Sequence, residues 1–269
     1  MNKSGLKQVI ENWELPEGDT KLERIESMIK PALMAGYFSK DPTAIVSGSQ
    51  YHLGGATDTR ELGHLASIDS TDRVLDVCCY LGGPAVQLAE SFKCRVTGVD
   101  INENYIVAAR RIADLVKLSD IIDYHVADAV KLPFDDGQFT VVWSQCSVDH
   151  DERWFREFDR ILKSGGRLAF TFQIRGDNTD ESRLLWTLHN TVTFLENLGY
   201  RVIHAEDITQ RDIEIGWKDL DRRLTENEED FITVLGKDWV NKAHEEFMNE
   251  INRMRKGEWG NGRIVAVKS

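Results

Sequence analysis

Three aspartates stand at or near the ends of short apolar runs, and the first is followed by paired glycines. Asp76 lies in Arg73-Val-Leu-Asp-Val77, ahead of Gly82-Gly83-Pro84. Asp100 closes a run over 94–99, 24 residues after Asp76, and Asp128 follows a run over 122–126. Val74, Leu75 and Val77 suit a strand buried on both faces. Gly82 and Gly83 supply a turn, and Pro84 fits the first position of a helix. Ala85, Leu88, Ala89 and Phe92 then repeat at helical spacing. Strand, glycine turn and helix N-terminus make a cradle for a small ligand at the C-terminal edge of a parallel sheet. A carboxylate at Asp100 can accept both hydroxyls of a ribose. The competing role for Asp100 is capping the next helix. Asp128 can accept from an exocyclic adenine amine, with its neighbours against the ring, or serve as a solvent-exposed turn residue.

The elements that must position these residues alternate. Strand-like runs at 74–77, 94–99, 122–126, 139–143 and 167–174 are interleaved with helical spacing at 105–116 and 154–162. Lys163-Ser-Gly-Gly166 reads as the C-cap of the second of these helices. The alternation predicts a parallel sheet covered on both faces. Upstream, Leu22, Ile25, Ile29 and Leu33 mark a helical segment, 47–55 reads as a loop, and Leu62, Leu65 and Ala66 resume helical spacing. Downstream, the spacing predicts a helix over 184–198, a sixth strand at 201–206, helices around 217–235 and 238–255, and a terminal strand at 262–268. The chain divides into a helical lid with the Tyr51 loop (1–68), a ligand-binding core (69–176), and a helical cover with the last two strands of the same sheet (177–269).

A net charge of −12 over 269 residues argues against a nucleic-acid backbone or an anionic membrane as the main partner. No apolar run approaches the ~20 residues of a membrane span, and Met1-Asn-Lys-Ser-Gly5 opens no signal-peptide pattern. Cys78, Cys79, Cys94 and Cys146 lack metal-ligand spacing, and adjacent Cys78 and Cys79 make a poor disulfide. They read as reduced core residues of a cytoplasmic protein with no metal site. The partner expected is a small-molecule substrate, and the protein a monomer or homodimer.

A dinucleotide's pyrophosphate needs G-x-G-x-x-G so that bare backbone can approach it. Here Cys78-Cys-Tyr-Leu-Gly-Gly83 puts tyrosine at a would-be glycine. A ligand with one ribose, one adenine and a small zwitterionic tail is easier to seat. With Val96-Thr-Gly-Val-Asp100, Ala127-Asp-Ala-Val-Lys-Leu-Pro-Phe-Asp135 and Leu162-Lys-Ser-Gly-Gly-Arg167 following in order, residues 45–175 resemble the class I S-adenosylmethionine-dependent methyltransferases. The resemblance implies an α/β fold: a Rossmann-like, doubly wound, seven-stranded, mostly parallel sheet with an antiparallel last strand and helical lid elements. It implies S-adenosyl-L-methionine as cofactor, S-adenosyl-L-homocysteine as product, and cofactor contacts from Asp76, Cys78, Gly82, Gly83, Asp100, Ile101, Asp128, Ala129 and Gln145. Gln50-Tyr-His-Leu-Gly-Gly-Ala-Thr-Asp-Thr-Arg60 and Trp143-Ser-Gln-Cys-Ser-Val-Asp-His150 are similar to segments of glycine/sarcosine/dimethylglycine and phosphoethanolamine N-methyltransferases. In those enzymes the first passes near the methionine end, and a histidine of the second faces the substrate. Cys78 and Tyr80 depart from the pattern by replacing two glycines. A tyrosine at φ > 0 is strained, so either the loop takes a β-compatible path or the ligand sits differently.

An amine must be neutral to accept a methyl group, so a base or a lone-pair-orienting group helps. His150, just past the fourth strand, is the candidate base, with a capping or backbone-bonded histidine as the alternative. Tyr51 could orient the substrate or cover the sulfonium, and His52 is a weaker candidate. Trp186, Trp217, Trp239 and Trp259 fall where the substrate cover is expected and could supply cation–π contact or core packing. Arg60, Arg175 and Arg183 are available to a substrate carboxylate. The function expected is N-methylation of an amine such as a glycine derivative. O- or C-methylation of a small hydroxylated or isoprenoid metabolite, and catalytically silent cofactor binding, are the alternatives.

Overall fold

The computed structural model describes residues 52–148, 151–180, 183 and 185–269. The two catalytic candidates, Tyr51 and His150, lie outside them. Strand β1 (Arg73–Val77) pairs in parallel with β2 (Arg95–Asp100) on one side and β4 (Phe139–Gln145) on the other. Being central, it is buried from its second residue onward, as its apolar run requires. β3 (Ile122–Val126) extends the sheet beyond β2, and β5 (Leu162–Ile174) continues it in parallel beyond β4. β7 (Gly260–Lys268) runs antiparallel between β5 and the edge strand β6 (Tyr200–Asp207). The order β3-β2-β1-β4-β5-β7-β6 is the mostly parallel seven-stranded sheet with an antiparallel last strand that the motifs imply.

Two apolar layers hold this sheet. On one face, Leu62 of α1 (Gly55–Leu65), Leu88 of α2 (Gly83–Phe92) and Ile112 of α3 (Glu103–Leu115) pack with Val74, Trp143, Ala169 and Val265. On the other, Phe155 and Phe158 of α4 (Glu152–Ile161) and Leu195 of α5 (Leu188–Asn197) pack with Leu75, Val142, Phe170 and Ile264. Between β6 and β7 the chain forms α6 (Thr209–Arg211), a π-helical stretch (Asp212–Trp217), α7 (Lys218–Glu226), α8 (Glu228–Leu235) and α9 (Lys237–Arg255). Leu224, Phe231, Val240 and Ala243 give these helices a small core of their own. No helix among the described residues is long and apolar enough to cross a membrane.

Three local expectations are corrected. Residues 163–166 belong to β5, which opens at Leu162 opposite Phe139, with Gly165 at φ 73°. Lys268 Nζ donates to the carbonyls of Asp159 and Leu162, so β7 satisfies the end of α4 in place of a glycine cap. The helix expected over 184–198 begins only at Leu188, because Thr187 Oγ1 accepts from Asn190 N as its cap. The helix expected over 217–235 is interrupted at Asn227 and is preceded by the π-helical stretch.

Candidate active site

Beyond Val77 the chain turns across the C-terminal end of β1. Cys78, Tyr80 and Gly82 have φ of 58°, 50° and 76°. Cys79 N donates to Val99 O (2.9 Å) and Gly82 N to Cys79 O (2.8 Å). The loop therefore keeps the left-handed path that favours glycine, and the β-compatible path is not taken. Each non-glycine residue there costs about 1 kcal/mol or more. Two contacts help to hold Tyr80. Its N–H donates to Asp100 Oδ2 (3.2 Å), and its ring meets Tyr105 edge-on at 4.7 Å. Gly82 is demanded sterically as well, since a Cβ would fall 2.2 Å from the Tyr124 hydroxyl, which donates to Gly82 O. Gly83 opens α2, with Pro84 one position further in than expected.

A cavity of about 410 Å³ opens at this turn, within the size range of small-ligand sites. Asp76, Cys78, Tyr80, Asp100, Tyr105, His52 and Gln145 help to line it, and among the described residues no lysine or arginine does. Asp76 is buried, and its Oδ2 has no hydrogen-bond partner among the described residues. Burial, and then the neighbouring Asp100, push its carboxyl well above the usual carboxylate range. Asp100 accepts from Asn102 N at Oδ1 (2.9 Å) and from Tyr80 N at Oδ2, which leaves a lone pair on each oxygen. Burial, then Asp100 and Asp76, push the Cys78 thiol up to about 12, so it is neutral and no nucleophile. The cavity can accept from ammonium and hydroxyl donors. Its described lining offers no cation to a pyrophosphate.

Several sequence-derived site residues do not line the cavity. Ile101 is exposed beyond β2. Asp128 is exposed, with Oδ1 accepting from Val130 N in a local turn, and Ala129 is buried in the core beneath the opposite face. The four tryptophans do not form a wall for it either. Trp186 packs edge-on against Phe194, Trp217 lies against Phe247, and Trp239 stacks on Phe231. Trp259 is buried and donates to Glu250. Among the described residues, the aromatic lining comes instead from Tyr80 and Tyr105. Of the three arginines, Arg60 donates to Thr57, Arg175 is exposed, and Arg183 donates to Gln173.

A polar row runs away from the cavity across the same sheet face. Register places Gln145 beside Thr171, Thr171 beside Arg263, and Arg263 beside Glu206, across four strands. Asp58 and Thr59 of α1, with Arg211 and Asp212 from the cover, close over it. Gln145 Nε2 donates to Asp58 Oδ2 (2.8 Å), and Thr59 Oγ1 donates to Gln145 Oε1 (3.0 Å). Arg211 Nη1 donates to Asp58 Oδ1 (2.8 Å), and Arg263 Nη2 to Glu206 (2.7 Å). Asn261 Nδ2 donates to Asp212 Oδ2 (2.6 Å), and burial pushes the Asp212 carboxyl up to about 7. His52 stands at the junction of row and cavity. Its Nδ1 lies 3.1 Å from Leu53 O and its Nε2 3.2 Å from Thr59 Oγ1, and burial holds the imidazole below its ordinary range. Sequence reasoning missed Arg211, Asp212 and Arg263, and took in Asp58 and Thr59 only as members of the stretch 50–60. The available signal was polar residues at inward positions of otherwise apolar strands, as at Thr171 and Arg263.

Residues 75–170 match a family model described as a methyltransferase domain. Phosphoethanolamine N-methyltransferase 3 of Arabidopsis thaliana is 28% identical over 229 residues, covering 80% of this chain and 46% of the relative. Sterol 24-C-methyltransferase ERG6 of Saccharomyces cerevisiae is 28% identical over 193 residues, covering 63% of this chain and 50% of the relative. The chain thus spans about half the length of these curated relatives. Among solved structures, phosphoethanolamine N-methyltransferase 2 of Haemonchus contortus, in complex with phosphomonomethylethanolamine and S-adenosylhomocysteine, superposes with a TM-score of 0.78 at 20% identity. That match covers 94% of this chain and 60% of the other. Residues 75–170 thus match a methyltransferase domain, and the sheet built around them has the fold of that solved methyltransferase.

Proposed function

We propose that the protein transfers the methyl group of S-adenosylmethionine to a small polar acceptor, and that the accepting atom is an amine nitrogen. The observation that carries this reading is the cavity on the turn after β1, whose described lining holds the carboxylates of Asp76 and Asp100 and no lysine or arginine. When bound, S-adenosylmethionine supplies an electrophilic methyl group on a sulfonium sulfur. Asp76 Oδ2, buried without a partner among the described residues, suits an ammonium donor at the methionine end, together with Cys78, Gly82 and Gly83. The remaining lone pairs of Asp100 suit the ribose hydroxyls. Ile101, Asp128 and Ala129 are assigned to the adenine edge, and Gln145 to the boundary with the acceptor. Residues 69–176 then hold the cofactor, while 1–68 and 177–269 cover the acceptor. The chain's share of the work is to bind, orient and exclude water. His150 is assigned as proton acceptor for the amine, and Tyr51 as the residue that orients the acceptor or covers the sulfonium.

The longer matched stretch with the phosphoethanolamine enzyme supports an amine of that kind or a glycine derivative. The sterol relative supports C-methylation as the second reading. Purified protein, methyl-labelled cofactor and a panel of phosphoethanolamine, glycine derivatives, phenols, isoprenoids and a sterol separate them. Label in an amine is expected. Transfer only to carbon or oxygen acceptors contradicts the amine assignment. Cofactor binding with no transfer to any of them favours a silent binding protein.

A further inference from the structure

We propose that Arg211 is a positioning residue of this site: through Asp58 it sets the orientation of Gln145 and of the His52 ring at the cavity wall. The inference rests on the reading of the cavity given above. Arg211 and Asp58 are 153 positions apart in the chain. Arg211 Nη1 donates to Asp58 Oδ1 (2.8 Å), and Nη2 donates to Glu61 Oε2 (2.7 Å). The guanidinium thus grips two carboxylates one helical turn apart on α1. With Oδ1 engaged, Asp58 turns Oδ2 toward Gln145, accepting from Nε2 at 2.8 Å. The Gln145 amide is then fixed end for end, because Oε1 accepts from Thr59 Oγ1 (3.0 Å) and Trp143 Nε1 (3.2 Å). Thr59 also touches His52 Nε2, while Asp58 Oδ2 lies 3.9 Å from His52 Nδ1.

The chain of contacts is buried: the side chains of His52 and Asp58 are 2% and 3% exposed, and that of Arg211 is 18% exposed. Removing Arg211 leaves a carboxylate short of a cation in a place with little water. Asp58 can then swing toward Arg263 Nη1, 3.5 Å from Oδ1, or draw a proton onto His52. Either response moves Gln145. Among the described residues, the charges that act on His52 are Asp58 from α1 and Arg211 from the cover; Glu61, Asp212 and Arg263 pair with these two, and Asp76 and Asp100 line the same cavity as His52. Asp58 favours the imidazolium, whereas burial and Arg211 oppose it. Loss of Arg211 therefore makes His52 more basic, and loss of the Asp58 charge makes it less basic.

The test follows the His52 ring carbon by NMR through a pH titration, assigned with His52→Gln, in wild type, Arg211→Gln and Asp58→Asn. S-adenosylhomocysteine affinity, kcat and KM are measured on the same proteins. Arg211→Gln is expected to raise the His52 midpoint by about half a unit or more, and Asp58→Asn to lower it. In Arg211→Gln, kcat is expected to fall about tenfold or more while S-adenosylhomocysteine affinity changes by less than about threefold. General damage to the fold would not produce opposite shifts in the two variants. An unchanged His52 midpoint in folded Arg211→Gln overturns the proposal. If that variant does not fold, a rise or no change in Asp58→Asn overturns it equally. The titration needs no turnover. Opposite shifts in a protein that methylates nothing would leave the clamp standing and remove the catalytic reading beneath it.

Discussion

At the scale of single residues, Asp76 carries the sharpest electrostatic consequence. It sits buried near the end of β1 with one oxygen unpartnered among the described residues, and its neighbour Asp100 is also a carboxylate. Burial and that neighbour both favour the protonated form, so its carboxyl is raised well above the usual range. A cationic ligand group seated at Oδ2 favours the ionised form instead. Loading the site then expels a proton, and affinity for S-adenosylhomocysteine rises with pH while free Asp76 titrates, by up to about tenfold per pH unit. Asp76→Asn keeps the shape and loses the charge. Its affinity is expected to match wild type at low pH, to fall behind as pH rises, and to show no such slope. Calorimetry between about pH 5 and pH 9, in buffers of different ionisation enthalpy, reads both quantities. Equal, flat profiles for the two proteins would remove Asp76 from the site. Asp76 and Asp100 were legible in the sequence because each belongs to a strand just before a turn. Asp58 was legible only as a member of the stretch 50–60 and Arg211 not at all, because their pairing depends on the finished sheet.

At the scale of elements, the turn between β1 and α2 carries side chains on a backbone path that favours glycine. Cys78 and Tyr80 occupy left-handed conformations that glycine would adopt without strain. The backbone is tied at Cys79 N and Gly82 N, and the ring of Tyr80 rests on Tyr105. Cys78→Gly relieves about 1–2 kcal/mol of strain but costs about 0.5–1 kcal/mol in unfolded-state entropy. Its unfolding free energy in urea is expected to change by no more than about 1 kcal/mol. Cys78→Val puts a β-branched side chain in the same conformation and is expected to lose about 2 kcal/mol or more. Equal stability of the two variants would contradict the left-handed path. The strands from β1 to β4 and the helices α2 and α3 were readable because their apolar periodicity is local. The opening of β5 was hidden because Gly165 and Gly166 have turn composition, and only the strand paired at Phe139 and the Lys268 side chain override it. The late start of α5 was written in Thr187, a capping residue overshadowed by the leucines before it.

At the scale of the whole molecule, the sheet order decides which residues can meet. The antiparallel β7 brings Arg263 into the row that Gln145 and Thr171 begin, and the cover returns Arg211 and Asp212 to α1. That row sits beside the cavity, so among the described residues one sheet edge carries an acidic seat without cations and a neighbouring polar wall with paired ones. A seat of this charge discriminates between ligands that share an adenosine. It favours a sulfonium and ammonium tail and disfavours a pyrophosphate. The central claim is that this cavity binds S-adenosylmethionine, and calorimetry of the intact chain against S-adenosylhomocysteine, with NAD as the competing ligand, tests it most directly. The account predicts saturable binding of S-adenosylhomocysteine and none of NAD. Failure to bind S-adenosylhomocysteine, or binding of NAD in its place, would contradict it.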